Sequence, residues 1–209
     1  MLITGFEQFK AQMVEEYKSA SKFIMDNPPL IRLHIVCGTR VIPGFKNVDI
    51  QEFTHVDHLA SAENLNFAAD TSIDLIYSSH VLEHYERTEF MAVLREWYRV
   101  LKISRALRIS VPDFQACAKL YYENGLENGL SGLIGLICGG QRDEYDFHKM
   151  IFDEPFLTKA LYDVGFKTVQ TWDWKNTEHA YIDDYSQAYI PHMEKETGLQ
   201  MSLNLQAKK

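Results

Sequence analysis

Two stretches of the chain repeat apolar residues at the spacing of an α-helix. Across residues 88–101 apolar side chains recur with a 3.6-residue period, and arginine and glutamate residues occupy the opposite face. Residues 153–165 follow the same period, with Asp153 as a cap at the start and Gly165 as a helix stop. Both patterns predict amphipathic helices that lie on a sheet. A third helical pattern leads the chain and ends before Pro28.

Short segments rich in β-branched and aromatic residues alternate with these helices and predict strands. The predicted strands cover residues 32–37, 47–50, 55–60, 73–78, 107–111, 167–172 and 201–206. Strands that alternate with helices indicate an α/β fold with a doubly wound, Rossmann-like sheet. Only nine residues, 38–46, separate the first two strands, and they include Pro43 and Gly44. Because a parallel crossover usually takes roughly a dozen residues or more, the first crossover helix is predicted to be short or missing.

Length and charge limit the possible functions. The 209 residues suffice for one domain with a substantial core. A net charge of −8 disfavours a phosphate backbone as partner, so we expect no nucleic-acid partner. The cysteines Cys37, Cys117 and Cys138 are too widely spaced for a disulfide framework or a metal knuckle, which favours a reducing cytoplasm. We expect no membrane span, since no apolar run is long enough. The pattern does not predict an oligomeric state.

Five motifs occur in one order: LHIVCGTR, the acid of NVDI, SIDLIYSSHVLEHY, EWYRVLK and LRISVPDF. Together they resemble the class I S-adenosylmethionine-dependent methyltransferases, and more narrowly a small bacterial branch associated with surface-glycan synthesis. The resemblance implies a seven-stranded mixed sheet with its last strand antiparallel. It also implies S-adenosylmethionine as cofactor, S-adenosylhomocysteine as product, and methyl transfer to an oxygen or nitrogen of a small-molecule acceptor. A glycan-related acceptor is one expectation.

The resemblance divides a single predicted domain, residues 1–209, into three parts. Residues 1–29 are a leading helix, residues 30–113 a cofactor-binding half, and residues 114–209 a substrate-cover segment with closing helix and strand elements.

The resemblance also implies which residues bind the cofactor. The turn at residues 36–38 passes beneath the methionine part, Asp49 binds both ribose hydroxyls, and the stretch Ser61-Ala62-Glu63 corresponds to the family's adenine-binding stretch. Asp49 has an alternative interpretation as a strand-end acid that caps a turn. The predicted cofactor-binding residues are Val36, Cys37, Gly38, Asp49, Ser61, Ala62 and Ser79.

Two histidines are candidates for catalysis. Ser79 and His80 end the fourth strand and are expected to face the transferred methyl group. His148 lies in a polar segment after the glycine pair Gly139-Gly140, and its imidazole is a candidate general base.

A metal site is an alternative interpretation of the string HVLEH, because His80 and His84 are four residues apart and Glu83 adjoins His84. No further ligand has a telling spacing, so no metal is predicted. His84 is expected to pack at the sheet edge through hydrogen bonds.

Two departures from the family pattern favour an alternative function. Val36 stands in place of the first glycine of the cofactor turn, and a β-branched residue is expected to exclude a positive φ there. Residues 103–105 stand in place of a Pro-Gly-Gly turn. The alternative is therefore a catalytically impaired relative that acts as a binding or partner protein. A nicotinamide-dependent oxidoreductase ranks last, since it requires a G-x-G-x-x-G turn leading into a helix.

Overall fold

The computed structural model of the protein describes residues 13–16, 18–19, 22, 29–124, 129–192 and 194–209. The chain forms two compact units, Met1–Leu30 and Ile31–Lys209. In the first unit, residues 13–16, 18–19 and 22 are helical, and the rest of the predicted leading helix lies outside the described residues. The single-domain assignment and its three parts stay predictions.

The second unit is built on a seven-stranded sheet in the order β3-β2-β1-β4-β5-β9-β6. Strands β1 to β5 pair in parallel, whereas β9 runs antiparallel to both β5 and β6. The predicted mixed sheet with an antiparallel last strand is therefore confirmed. Its strands are β1 (Arg32–Ile35), β2 (Lys46–Asp49), β3 (His58–Leu59), β4 (Ile73–Ser79), β5 (Leu101–Pro112), β6 (Thr168–Thr171) and β9 (Ser202–Lys208). A separate antiparallel pair consists of β7 (Tyr189–Ile190) and β8 (Leu199–Gln200).

Four α-helices occur in the second unit's described residues: α1 (Phe90–Val100), α2 (Phe114–Asn124), α3 (Ile134–Cys138) and α4 (Glu154–Val164). The Asp153 side chain caps α4 by accepting from the Phe156 amide, and Gly165 ends the helix with φ +122°. Helices α1 and α4 confirm the two amphipathic patterns. Residues 36–45, between β1 and β2, contain turns and no helix, so the missing crossover helix is confirmed as well. No described helix is long and apolar enough to cross a membrane.

The two faces of the sheet are covered in different ways. One face buries its apolar side chains against α1 and α4, and Trp97 of α1 donates its indole N–H to the Ala62 carbonyl at 2.9 Å. The other face receives no crossover helix from residues 36–45. Instead, Trp172 and Ile182 pack there against Tyr77, whose hydroxyl donates to Asp184. The segment of residues 172–190 therefore replaces a helix layer.

A buried ion pair joins the start of β4 to the start of β5. The Asp74 side chain is 3% exposed and accepts hydrogen bonds from Lys102 Nζ at 2.7 Å and from the Ile31 amide at 3.0 Å. Arg105 Nε lies 3.1 Å from its other oxygen. Burial opposes ionisation, but the Lys102 bond, the Ile31 amide and Arg105 outweigh it and hold the pKa of Asp74 below its ordinary value.

We expect Asp74→Asn to lower the free energy of unfolding by about 1–3 kcal/mol at pH 7, because two cations lose a charged partner. A lowered folded-state pKa means that this contribution is complete above the unfolded-state pKa of about 3.9 and disappears as the pH falls through the folded value. Urea unfolding at pH 7 and near pH 3 measures both effects. The control is Asp70→Asn, since that carboxylate is 74% exposed. Equal effects of the two substitutions at pH 7 would contradict the assignment.

Candidate active site

Two adjoining cavities open where the parallel strands β1, β2 and β4 end. The first has a volume of about 420 Å³ and its lining includes Val36, Ile50, Ser61, Glu63, Val81 and Lys149. The second measures about 580 Å³ and its lining includes Gly135, Arg142, Asp146, His148 and Tyr185. Both cavities are lined by His80 and His84. The two imidazoles therefore lie between two cavities, each large enough for a small molecule.

The turn after β1 has the backbone of a glycine turn although it carries a valine. Val36 adopts φ +52° and Gly38 adopts φ +54°. The expectation that Val36 excludes a positive φ is therefore wrong. A β-branched residue in this region is a genuine outlier, with a cost of roughly 1–2 kcal/mol. The apolar contacts of Val36 with the core below the turn offset part of this cost.

The Asp49 side chain is 2% exposed and points into the same turn. Its Oδ2 accepts from the Gly38 amide at 2.8 Å, and its Oδ1 accepts from the Gln51 amide at 2.9 Å. Cys37 is buried beside it, and burial, followed by the charge of Asp49, raises the pKa of this thiol to about 12. These are the contacts of a turn-capping acid, and Asp49 does not line the first cavity. Its predicted ribose-binding role stays a prediction.

The predicted adenine-binding stretch is split between the first cavity and the core. Ser61 and Glu63 line the cavity, and Glu63 accepts a hydrogen bond from the Tyr85 hydroxyl at 2.5 Å. Ala62 is fully buried. At the end of β4, the Ser79 hydroxyl is buried without a hydrogen-bond partner.

His80 follows β4 directly and has φ +53°. Its amide donates to the Ser110 carbonyl at 2.9 Å, and its Nε2 lies 3.0 Å from Ser202 Oγ. The Ser202 hydroxyl itself donates to the Tyr185 carbonyl. Because that hydroxyl proton is committed, Ser202 accepts from Nε2–H, and Nδ1 of a neutral His80 keeps its lone pair. Burial, with smaller contributions from His148 and His84, lowers the pKa of His80 to about 3.

Beside His80, Glu83 is fully buried and neither carboxylate oxygen has a hydrogen-bond partner. Burial raises the pKa of Glu83 to about 8. Its Oε1 lies 3.4 Å from His80 Nδ1 and 3.8 Å from His148 Nε2. The ring of His84 lies 4.9 Å from that of His148, and burial lowers the pKa of both. We call His80, Glu83, His84 and His148 the histidine–glutamate cluster.

Comparison with known proteins agrees with this architecture. A family model described as a methyltransferase domain matches residues 32–107. Residues 32–107, which contain β1 to β4 and α1, thus resemble a methyltransferase domain. No curated protein matches the chain.

Solved structures with the same fold include S-adenosylmethionine-dependent methyltransferases from Archaeoglobus fulgidus and Thermotoga maritima. The first is 17% identical with a TM-score of 0.54, covering 93% of this chain and 94% of that one. The second is 18% identical with a TM-score of 0.56, covering 99% and 95%. A third is the Burkholderia thailandensis 1,6-didemethyltoxoflavin-N1-methyltransferase, crystallised with S-adenosylhomocysteine, at 13% identity and a TM-score of 0.53, covering 96% and 87%. These likenesses concern the fold, and with the domain match they support the predicted enzyme class and cofactor.

The first cavity has groups that suit S-adenosylmethionine. Ile50 and Val81 offer apolar contact for a base, Glu63 offers a carboxylate for ribose hydroxyls, and Lys149 offers a cation for the methionine carboxylate. Ser79, at the end of β4, does not line this cavity, so its predicted role toward the cofactor stays a prediction. The residues present therefore fit the cofactor.

Sequence reasoning missed the contact between His148 and the HVLEH string. His80, Glu83 and His84 are close in sequence, but His148 follows 64 residues after His84. Its position depends on the chain after α3, where the His148 amide donates to the Cys138 carbonyl. The sequence did indicate the local part of this group, since His80 and His84 are four residues apart and Glu83 adjoins His84. A residue as distant along the chain as His148 has no recognisable spacing from them.

The positive φ of Val36 predicts an inverted order of stability for two substitutions. Val36→Gly and Val36→Ala both remove apolar contacts, but only glycine adopts φ +52° without a Cβ penalty. We expect the glycine variant to be more stable by about 0.5–1 kcal/mol, after allowing for the backbone entropy of glycine. Thermal and urea unfolding measure this difference. At Val48, inside β2, the alanine variant should be the more stable one, and the same order at both positions would refute the assigned turn conformation.

Proposed function

We propose that the protein transfers the methyl group of S-adenosylmethionine to an oxygen or nitrogen atom of a small acceptor. The first cavity holds the cofactor and the second holds the acceptor. The observation that carries this proposal is that both cavities share His80 and His84 as lining residues. Donor and acceptor therefore meet beside these imidazoles.

S-adenosylmethionine supplies an electrophilic methyl group, so the protein's main task is to align the reacting atoms and exclude water. The strained backbone of His80 is held by the Ser110 carbonyl, and its ring by Ser202. Both contacts fix the ring at the boundary between the cavities. A neutral imidazole there can accept a hydrogen bond from an acceptor hydroxyl or amine and keep it in one orientation.

The roles predicted for His80 and His148 stay part of this proposal. His148 lines the second cavity, as a general base would, and its Nδ1 lies 3.0 Å from the Leu136 carbonyl. Because a carbonyl only accepts, Nδ1 carries the proton and Nε2 keeps the lone pair. That lone pair is directed toward the Glu83 region, at 3.8 Å from Oε1.

The nature of the acceptor is inferred from the second cavity. Its 580 Å³ suit a small molecule, and the charged pair of Arg142 and Asp146 gives its rim polar groups. The Burkholderia thailandensis neighbour is named as an N1-methyltransferase of 1,6-didemethyltoxoflavin. A polar, glycan-related acceptor, the absence of a nucleic-acid partner and a cytoplasmic location stay predictions.

The alternative, a catalytically impaired binding or partner protein, loses its main argument. It required that Val36 be unable to form the cofactor turn, yet Val36 and Gly38 both have the positive φ of such a turn. At the second departure, Ser104 likewise adopts φ +64° in place of a glycine. Val36 keeps the shape of the cofactor turn, and Ser104 lies within β5, where the pairing with β4 is irregular, so the active enzyme is the better supported function.

Titration with S-adenosylhomocysteine tests the first cavity. We expect Glu63→Gln to weaken binding at least about 10-fold, since a hydrogen bond to a charged group contributes about 1.5–3 kcal/mol. Glu52→Gln is the matched control, because Glu52 is exposed and does not line the cavity. Calorimetry gives the affinities. The proposal fails if the folded wild-type protein binds neither S-adenosylmethionine nor its product.

A second experiment tests the acceptor cavity through turnover. Gly135 lines the second cavity and a Cβ there meets nothing within 4 Å, so a large side chain can enter the cavity without a backbone clash. We expect Gly135→Trp to lower methyl transfer to hydroxyl and amine acceptors at least about 10-fold, while S-adenosylhomocysteine affinity stays within about 2-fold. Release of S-adenosylhomocysteine reports turnover. Unchanged turnover in a folded variant would exclude this cavity as the acceptor site.

A further inference from the structure

The histidine–glutamate cluster contains a buried group without a partner. Glu83 is 0% exposed, and both oxygens of its carboxylate lack a hydrogen-bond donor. A buried carboxylate in this state is costly unless a proton or another cation is bound. The structure brings no lysine or arginine to it among the described residues.

The tautomers of the surrounding histidines make the cluster rich in lone pairs. His84 Nδ1 lies 3.0 Å from the Phe147 carbonyl, and His148 Nδ1 lies 3.0 Å from the Leu136 carbonyl. Both carbonyls only accept, so each Nδ1 carries the proton and each Nε2 offers a lone pair. A ligating histidine is usually oriented in this way, with its other ring N–H donated to a carbonyl or carboxylate.

One distance within the cluster is that of two metal ligands, and the other distances lie close to it. One ligand atom each from Glu83, His84 and His148 lies within 4.8 Å of the other two. Two atoms that share an ion at 2.0–2.2 Å are separated by roughly 3–4 Å. The 3.8 Å between Glu83 Oε1 and His148 Nε2 is too long for a hydrogen bond and falls within this range.

We propose that Glu83, His84 and His148 bind a divalent transition-metal cation, such as zinc, at the wall of the second cavity. Two imidazole nitrogens and one carboxylate form a donor set known from catalytic metal sites, which keep an open coordination position. His80 borders the site, with its Nδ1 3.4 Å from Glu83 Oε1. The cation satisfies the buried carboxylate that is otherwise unpartnered.

The ion faces the cavity assigned to the acceptor, since His84 and His148 line it. An open coordination position there can bind an acceptor oxygen and stabilise negative charge that develops on it. This role toward the acceptor rests on the proposed function, whereas metal binding itself does not. When the ion is bound, His148 is a metal ligand, so its Nε2 lone pair is available for the general-base role of the proposed function only in the metal-free protein.

Metal binding is measured directly on the full chain. After removal of bound metal with a chelator, titration with Co²⁺ should give visible absorption bands that saturate at about one ion per chain, and Zn²⁺ should displace it. Zn²⁺ should also raise the melting temperature of the wild-type protein. An absence of saturable Co²⁺ and Zn²⁺ binding to the folded protein would overturn the proposal.

Variants locate the site. We expect Glu83→Gln, His84→Asn and His148→Asn each to weaken Co²⁺ binding at least about 100-fold and to abolish stabilisation by Zn²⁺. His192→Asn, an exposed histidine outside the cluster, should retain both properties. If Glu83→Gln does not fold, the two histidine variants decide. Wild-type affinity in these two variants would refute the assigned ligands.

A titration with S-adenosylhomocysteine on the metal-free and Zn²⁺-loaded protein separates the two proposals. Metal binding without binding of S-adenosylhomocysteine leaves the metal site intact and overturns the proposed function. Binding of S-adenosylhomocysteine without any metal binding overturns the metal site and leaves the proposed function intact.

Discussion

The hydrogen bond between Tyr77 and Asp184 joins the central strand β4 to the segment of residues 172–190. This contact is needed because residues 36–45 form turns and supply no helix to that face of the sheet. Tyr77 is fully buried, so its hydroxyl requires a partner within the protein. The segment continues the network, as Ser186 N–H also donates to Asp184 and Asn204 Nδ2 donates to the Ser186 carbonyl. This polar network, together with the apolar contacts of Trp172 and Ile182 with Tyr77, covers a face that a helix usually covers.

This covering segment also shapes the candidate active site. It brings Tyr185 beside His80, with 5.3 Å between the ring centroids, and the Tyr185 carbonyl accepts from the Ser202 hydroxyl. The orientation of His80 therefore depends on the segment of residues 172–190, which covers the sheet face where the first crossover helix is missing. Fold and site are connected through a short series of hydrogen bonds rather than through a continuous apolar core.

Backbone strain is concentrated where strands end at the site. Val36 follows β1 and His80 follows β4, and both have a positive φ. Such residues persist only where the surroundings fix them, and they occur often at functional sites. Here the core contacts of Val36 and the amide bond of His80 to Ser110 supply that constraint. The buried carboxylate of Glu83 adds a second local cost when no proton or metal ion is bound to it.

The sequence by itself determined the sheet, because period-2 and period-3.6 patterns report which side chains are buried. The pattern predicted α1, α4, a doubly wound sheet and the missing helix, since the short chain length between β1 and β2 leaves no room for a helix. The antiparallel last strand was implied by the family resemblance. The sequence also identified the HVLEH string and the turn that contains Val36. The local pattern does not report backbone φ. The expectation for Val36 rested on the general preference of β-branched residues, and the structure has Val36 at a positive φ. Only the tertiary structure decided that the Asp49 carboxylate caps a turn and that His148 meets Glu83, because both contacts join residues whose separation along the chain has no periodic signal.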